Sequence, residues 1–213
     1  NEIQNDPEVG HRVQIWLFMY NTSSPILYTA HLMREALKSA VQDFDPEGRD
    51  PALRQMVIVG HSQGGLLTRL MVTRSESRFW DANSRIPFAQ VRMTAEARAL
   101  LEPSLFFEPV PFVTRVVFLV TPHRGSYRVG RVVLNLVRRV VELPARLVQP
   151  LNELLKANPG LGLPSGGLPT AVDNMSPLSP FVRALAECPI APGVTAHSII
   201  AVQGTGDLLG LGD

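Results

Sequence analysis

The residues with the clearest chemical potential are Gly60-His61-Ser62-Gln63-Gly64, which set one serine in the spacing G-x-S-x-G, with Gly65 following. The apolar run 56–59 leads into this motif. Leu66, Leu67, Leu70 and Met71 lead out of it at helical spacing. Ser62 is therefore expected in a sharp turn between a strand and a helix, with glycines at 60 and 64 relieving the crowding and the serine itself held in strained backbone. Such a turn lifts the hydroxyl above the sheet and aims the helix N-terminus at it. The Gln63 N–H can then donate to an oxyanion. The chemistry is nucleophilic attack on a carbonyl through a covalent acyl intermediate. His61 is expected to pack and hydrogen-bond beneath the turn.

The elements that must position this serine are legible as short apolar runs at 13–20, 56–59, 116–120 and 198–202, each rich in β-branched or aromatic residues. Continuous rather than alternating apolarity predicts parallel strands covered by helices on both faces. Between the first two runs, Ser23, Ser24 and Pro25 supply helix-start signals, and Leu32, Ala36, Leu37, Ala40 and Val41 form one stripe that ends near Asp45-Pro46-Glu47-Gly48. Strands alternating with helices predict an α/β fold with a mostly parallel sheet. Residues 75–112, with four prolines, read as an insertion of helix and loop. Residues 126–180 form a second insertion, in which Val129, Val132, Val133, Leu136, Val137, Val140 and Val141 recur at helical spacing until Pro144. A further stripe, Leu147, Leu151, Leu154 and Leu155, runs to Asn158.

Residues 57–65, Val-Ile-Val-Gly-His-Ser-Gln-Gly-Gly, followed by residues 117–126, Val-Phe-Leu-Val-Thr-Pro-His-Arg-Gly-Ser, resemble the α/β-hydrolase superfamily, and more narrowly its bacterial lipase- and esterase-like members. Asp173-Asn174-Met175-Ser176-Pro177 and His197-Ser198-Ile199-Ile200 are similar to that group as well. The resemblance covers nearly the whole chain. It implies an α/β-hydrolase core over residues 1–125, a helical cap over 126–180 and a return to the core over 181–213. It also implies a serine nucleophile served by an acid and a histidine, in the chain order serine, acid, histidine.

In that order the acid follows the strand at 198–202, where Asp207 and Asp213 are the two carboxylates. The two histidines downstream of Ser62 fit the base poorly. His123 precedes any such acid, and His197 opens its strand at the amino edge, away from the edge where open α/β sheets carry their chemistry. The base is thus expected outside the chain, as is an early strand ending in a His-Gly oxyanion loop, which makes the chain an internal fragment of a longer hydrolase, nearly inactive by itself.

Composition bounds the partners. The chain has 213 residues, 20 basic against 19 acidic, for a net charge of +1, so no global charge argues for nucleic acid. One cysteine, Cys188, excludes an intrachain disulfide and any multi-cysteine metal site. No apolar run approaches the ~20 residues of a membrane span. Between residues 112 and 156 eight basic residues face Glu142 and Glu153, a local charge of +6. Tyr127 is the one aromatic of the basic insertion, which argues against nucleic-acid stacking. The helix 129–141 could instead cover an acyl site or meet a lipid surface. The expected activity is hydrolysis of carboxylic esters, with ester or lipid as substrate and no metal or organic cofactor. Acyl transfer on the same residues and a non-catalytic binding protein are the alternatives.

Overall fold

Parallel strands form where the sequence concentrates β-branched residues. In the computed structural model, which describes residues 2–22, 24–125, 145–159, 161 and 178–201, β1 (Met56–His61), β2 (Val113–Leu119) and β3 (Thr195–Ile199) make a parallel sheet in the order β1-β2-β3. Val59 pairs with Val117, and Val117 with His197. After the short α1 (Glu2–Asn5), the helices α2 (Ile26–Phe44) and α3 (Gln63–Met71) precede and follow β1. The result is an α/β arrangement, a small parallel sheet with flanking helices.

Among the described residues β1 is covered on one face, not two as its apolar run suggested, and β3 is exposed along its length. Ile58, Val113, Val116 and Phe118 are buried in a core shared with Ile26, Ala30 and Met33 of α2 and with Leu66, Leu67, Leu70 and Met71 of α3. Val57 and Val59, which point the other way, are 53 % and 57 % exposed. Each core leucine or phenylalanine contributes roughly 1.5–3 kcal/mol by leaving water, and here that gain is confined to one face.

The run 13–20, expected as a strand, forms no strand and belongs to no ladder. Leu17 and Met19 are 82 % and 86 % exposed, whereas the alternating Phe18 and Tyr20 pack against the core. The last strand begins at Thr195 rather than at Ser198.

The insertion at 75–112 turns out to be a docking platform. It holds α4 (Arg78–Asp81) and α5 (Ala95–Leu105), and α6 (Ala145–Ala157) packs on α5. Trp80, Val91, Leu154 and Leu161 form a second, smaller core there. Asn158 locks the junction: its Oδ1 accepts from the Arg92 N–H at 3.0 Å, and its Nδ2 donates to the Arg92 carbonyl at 2.6 Å. Helix α7 (Pro180–Glu187) starts at Ser179, whose hydroxyl accepts from the Phe181 N–H, and returns Phe181, Val182 and Leu185 to the main core. The cap helix expected at 129–141 lies outside the described residues, as do Asp173 to Pro177.

Candidate active site

Ser62 occupies the corner between β1 and α3 with φ 52° and ψ −120°. These angles are close to those of the first central residue of a type II′ turn, a position that glycine normally fills. The chain holds a serine there against a backbone preference of about 1–3 kcal/mol. The Ser62 N–H donates to the Leu119 carbonyl at 2.9 Å, and its carbonyl accepts from the Gly65 N–H at 3.0 Å. One strand over, Val120 is also left-handed, at φ 48°, and its N–H donates to the Ile199 carbonyl at 2.8 Å. A β-branched residue with positive φ is a true outlier. Two strained corners therefore sit side by side where the strands end, each tied to the next strand by one hydrogen bond.

The glycines explain how the corner closes. A Cβ at Gly60 would come within 2.7 Å of the Gly64 carbonyl carbon, so the expectation for that residue holds. Gly64 differs: the nearest atom to its missing Cβ is the Tyr20 hydroxyl at 4.0 Å, an ordinary contact. The second obligatory glycine is Gly65, whose Cβ would meet the Thr121 side chain at 2.6 Å. Thr121 and Tyr20 thus flank the first turn of α3. Neither was singled out as a site residue by sequence, although Tyr20 closes the first apolar run and Thr121 opens Thr121-Pro122-His123.

The Ser62 hydroxyl is half-buried and forms no hydrogen bond among the described residues. Gln63 is the first residue of α3, so its N–H has no acceptor within the helix and is available to an oxyanion. His61 lies on the bare face and is exposed, which corrects the expectation that it packs beneath the turn. The β1 alternation that buries Ile58 and Gly60 sends His61 outward.

His123 is near the corner in sequence but is occupied otherwise. Its ring meets Phe118 edge-on at 4.5 Å between centroids, and its Nδ1 is buried without a partner. Burial, helped by the charge of Arg69, pushes its pKa below the usual histidine value. No hydrogen bond joins it to Ser62 among the described residues. His197 is in the middle of β3 rather than at its start, level with Val59 and so three residues short of Ser62. That is about 10 Å along the strand direction and two strand spacings, roughly another 10 Å, across the sheet. Its Nε2 is 2.7 Å from Nη1 of Arg115. Asp207 and Asp213 lie outside the described residues. Among the described residues no group of three His, Cys, Asp or Glu side chains is arranged to hold a metal ion, and no helix is long and apolar enough to cross a membrane.

Compared with protein-family models, curated proteins and solved structures, the chain matches none.

Proposed function

We propose that the protein is a serine hydrolase of carboxylic esters, built on an α/β-hydrolase core with a helical cap. The observation that carries this reading is the Ser62 backbone, φ 52° and ψ −120°, at a strand-to-helix corner. A serine whose hydroxyl has no hydrogen-bond partner among the described residues gains nothing from its side chain in a conformation that glycine would adopt freely. Retaining it there makes sense for a nucleophile. In the proposed reaction Ser62 Oγ gives its proton to a histidine base and attacks the acyl carbonyl, the Gln63 N–H binds the oxyanion, the carbonyl re-forms as the ester C–O bond breaks and the alcohol leaves with that proton, and water then hydrolyses the acyl-enzyme. Asp207 or Asp213 is the candidate acid. The base is a histidine other than His123 and His197, whose positions suit bracing and the outer strand.

The test is covalent. A fluorophosphonate added to the natural full-length protein should modify Ser62, as located by peptide mass spectrometry, and Ser62→Ala should abolish both labelling and p-nitrophenyl ester turnover. Labelling at another residue, or undiminished turnover by Ser62→Ala, refutes the proposal.

A further inference from the structure

The first turn of α3 is flanked by a phenol whose position is unexplained by packing alone. The Tyr20 ring stacks on Phe18, with centroids 5.7 Å apart, and rests against the main core. Its hydroxyl faces Gly64 and makes no hydrogen bond among the described residues. Cβ bonds on a helix tilt toward its N-terminus, so a point just beyond the missing Cβ of Gly64 lies over the start of α3, where the Gln63 N–H emerges. The gap is kept open by the absence of a side chain that the packing does not forbid, since a Cβ at Gly64 would stand 4.0 Å from the hydroxyl. Two donors, one phenolic and one amide, border an open space that an oxygen atom could fill. The phenol can donate one hydrogen bond and the amide another, so a single acceptor placed there can take both.

We infer that the Tyr20 hydroxyl is a second oxyanion donor, acting with the Gln63 N–H on the carbonyl oxygen of the bound ester. This rests on the reading of Ser62 as the nucleophile. As Ser62 Oγ passes its proton to the histidine base and bonds to the carbonyl carbon, the π electron pair moves to the carbonyl oxygen, and the phenol donates a hydrogen bond to the new charge while keeping its own proton. Burial raises the Tyr20 pKa above the usual phenol value, which holds it in the donating form. Gly64 serves the same end by leaving the oxygen its room.

Two variants of the natural full-length protein test this, each compared with wild type for fluorophosphonate labelling at Ser62 and for p-nitrophenyl butyrate turnover. Tyr20→Phe keeps the ring and removes the donor. It should lower the labelling rate and kcat by about 100-fold, the usual effect of deleting one oxyanion donor, with KM within threefold and an unchanged melting temperature. Gly64→Ala fills the space without a clash. It should melt no lower than wild type yet label at least about tenfold more slowly, and it decides the matter should Tyr20→Phe fail to fold. A folded Tyr20→Phe that keeps more than a third of the wild-type rate, or a Gly64→Ala at full rate, overturns the role of Tyr20 and leaves Ser62 as nucleophile standing. Wild type that is not labelled at Ser62 overturns both.

Discussion

Replacing Ser62 by glycine should make the protein more stable while removing its proposed nucleophile. At φ 52° and ψ −120° a residue with a Cβ is disfavoured by about 1–3 kcal/mol. Glycine adopts the angles freely but brings an added unfolded-state entropy of about 0.5–1 kcal/mol. No hydrogen bond of the serine hydroxyl to a described residue is lost in the exchange. The net expectation is a gain of about 0.5–2 kcal/mol. Unfolding entropy scales with chain length, so each kcal/mol moves the melting temperature of a protein this size by roughly 2–4 °C. Ser62→Gly should therefore melt about 1–8 °C higher than wild type by calorimetry or circular dichroism. Ser62→Ala is the control, since its Cβ retains the strain, and it should melt within about 1 °C of wild type. If Ser62→Gly melts with or below Ser62→Ala, the corner is not strained, and the reason given for assigning Ser62 a catalytic role collapses with it.

Three further outcomes follow from the geometry. Gly65→Ala drives a methyl into Thr121 and should cost about 1–3 kcal/mol in urea unfolding; adding Thr121→Ala should recover more than half of it, and no recovery would show that the crowding lies elsewhere. Arg34 is buried with one bond to the Pro103 carbonyl at 3.1 Å, its guanidinium 3.9 Å from the Phe107 ring centroid and its Nη1 unpartnered, and burial brings its pKa down to about 10. Arg34→Met should thus be neutral or stabilising by up to about 2 kcal/mol, whereas Arg34→Ala, which also empties the space of the stem, should destabilise; equal losses would refute this. The burial-lowered pKa of His123, and that of His31, mean that the unfolded chain binds more protons once the pH falls through the ordinary histidine value of about 6.5. Stability should be full above that pH and decline from pH 7.5 toward pH 5.5, less steeply in His123→Gln; a melting temperature that rises on acidification would contradict the sign.

The strand-turn-helix frame around Ser62 was legible in the sequence because its causes are local. β-branched residues at 56–59, a glycine-rich turn and a leucine stripe at helical spacing act over a few neighbours, and β1, α3 and α2 occur where those signals stand. The apolar run at 116–120 likewise became most of β2. What the sequence could not carry is which face of an element meets which partner. An apolar strand reads the same whether one face or two are covered; the packing of α2 and α3 on the Ile58 face leaves Val57, Val59 and His61 exposed. The same holds for the glycines. Their spacing suggested that residues 60 and 64 are required by crowding, but close approach is a property of what folds back against them, and tertiary packing brings Thr121 onto Gly65 and leaves open space beside Gly64. Tyr20 reaches the turn of Ser62 across more than forty residues of sequence, on a segment that hydrogen-bonds to no strand. Local propensity dictates the elements; only long-range packing, which sums burial over the whole chain, decides what stands beside the serine.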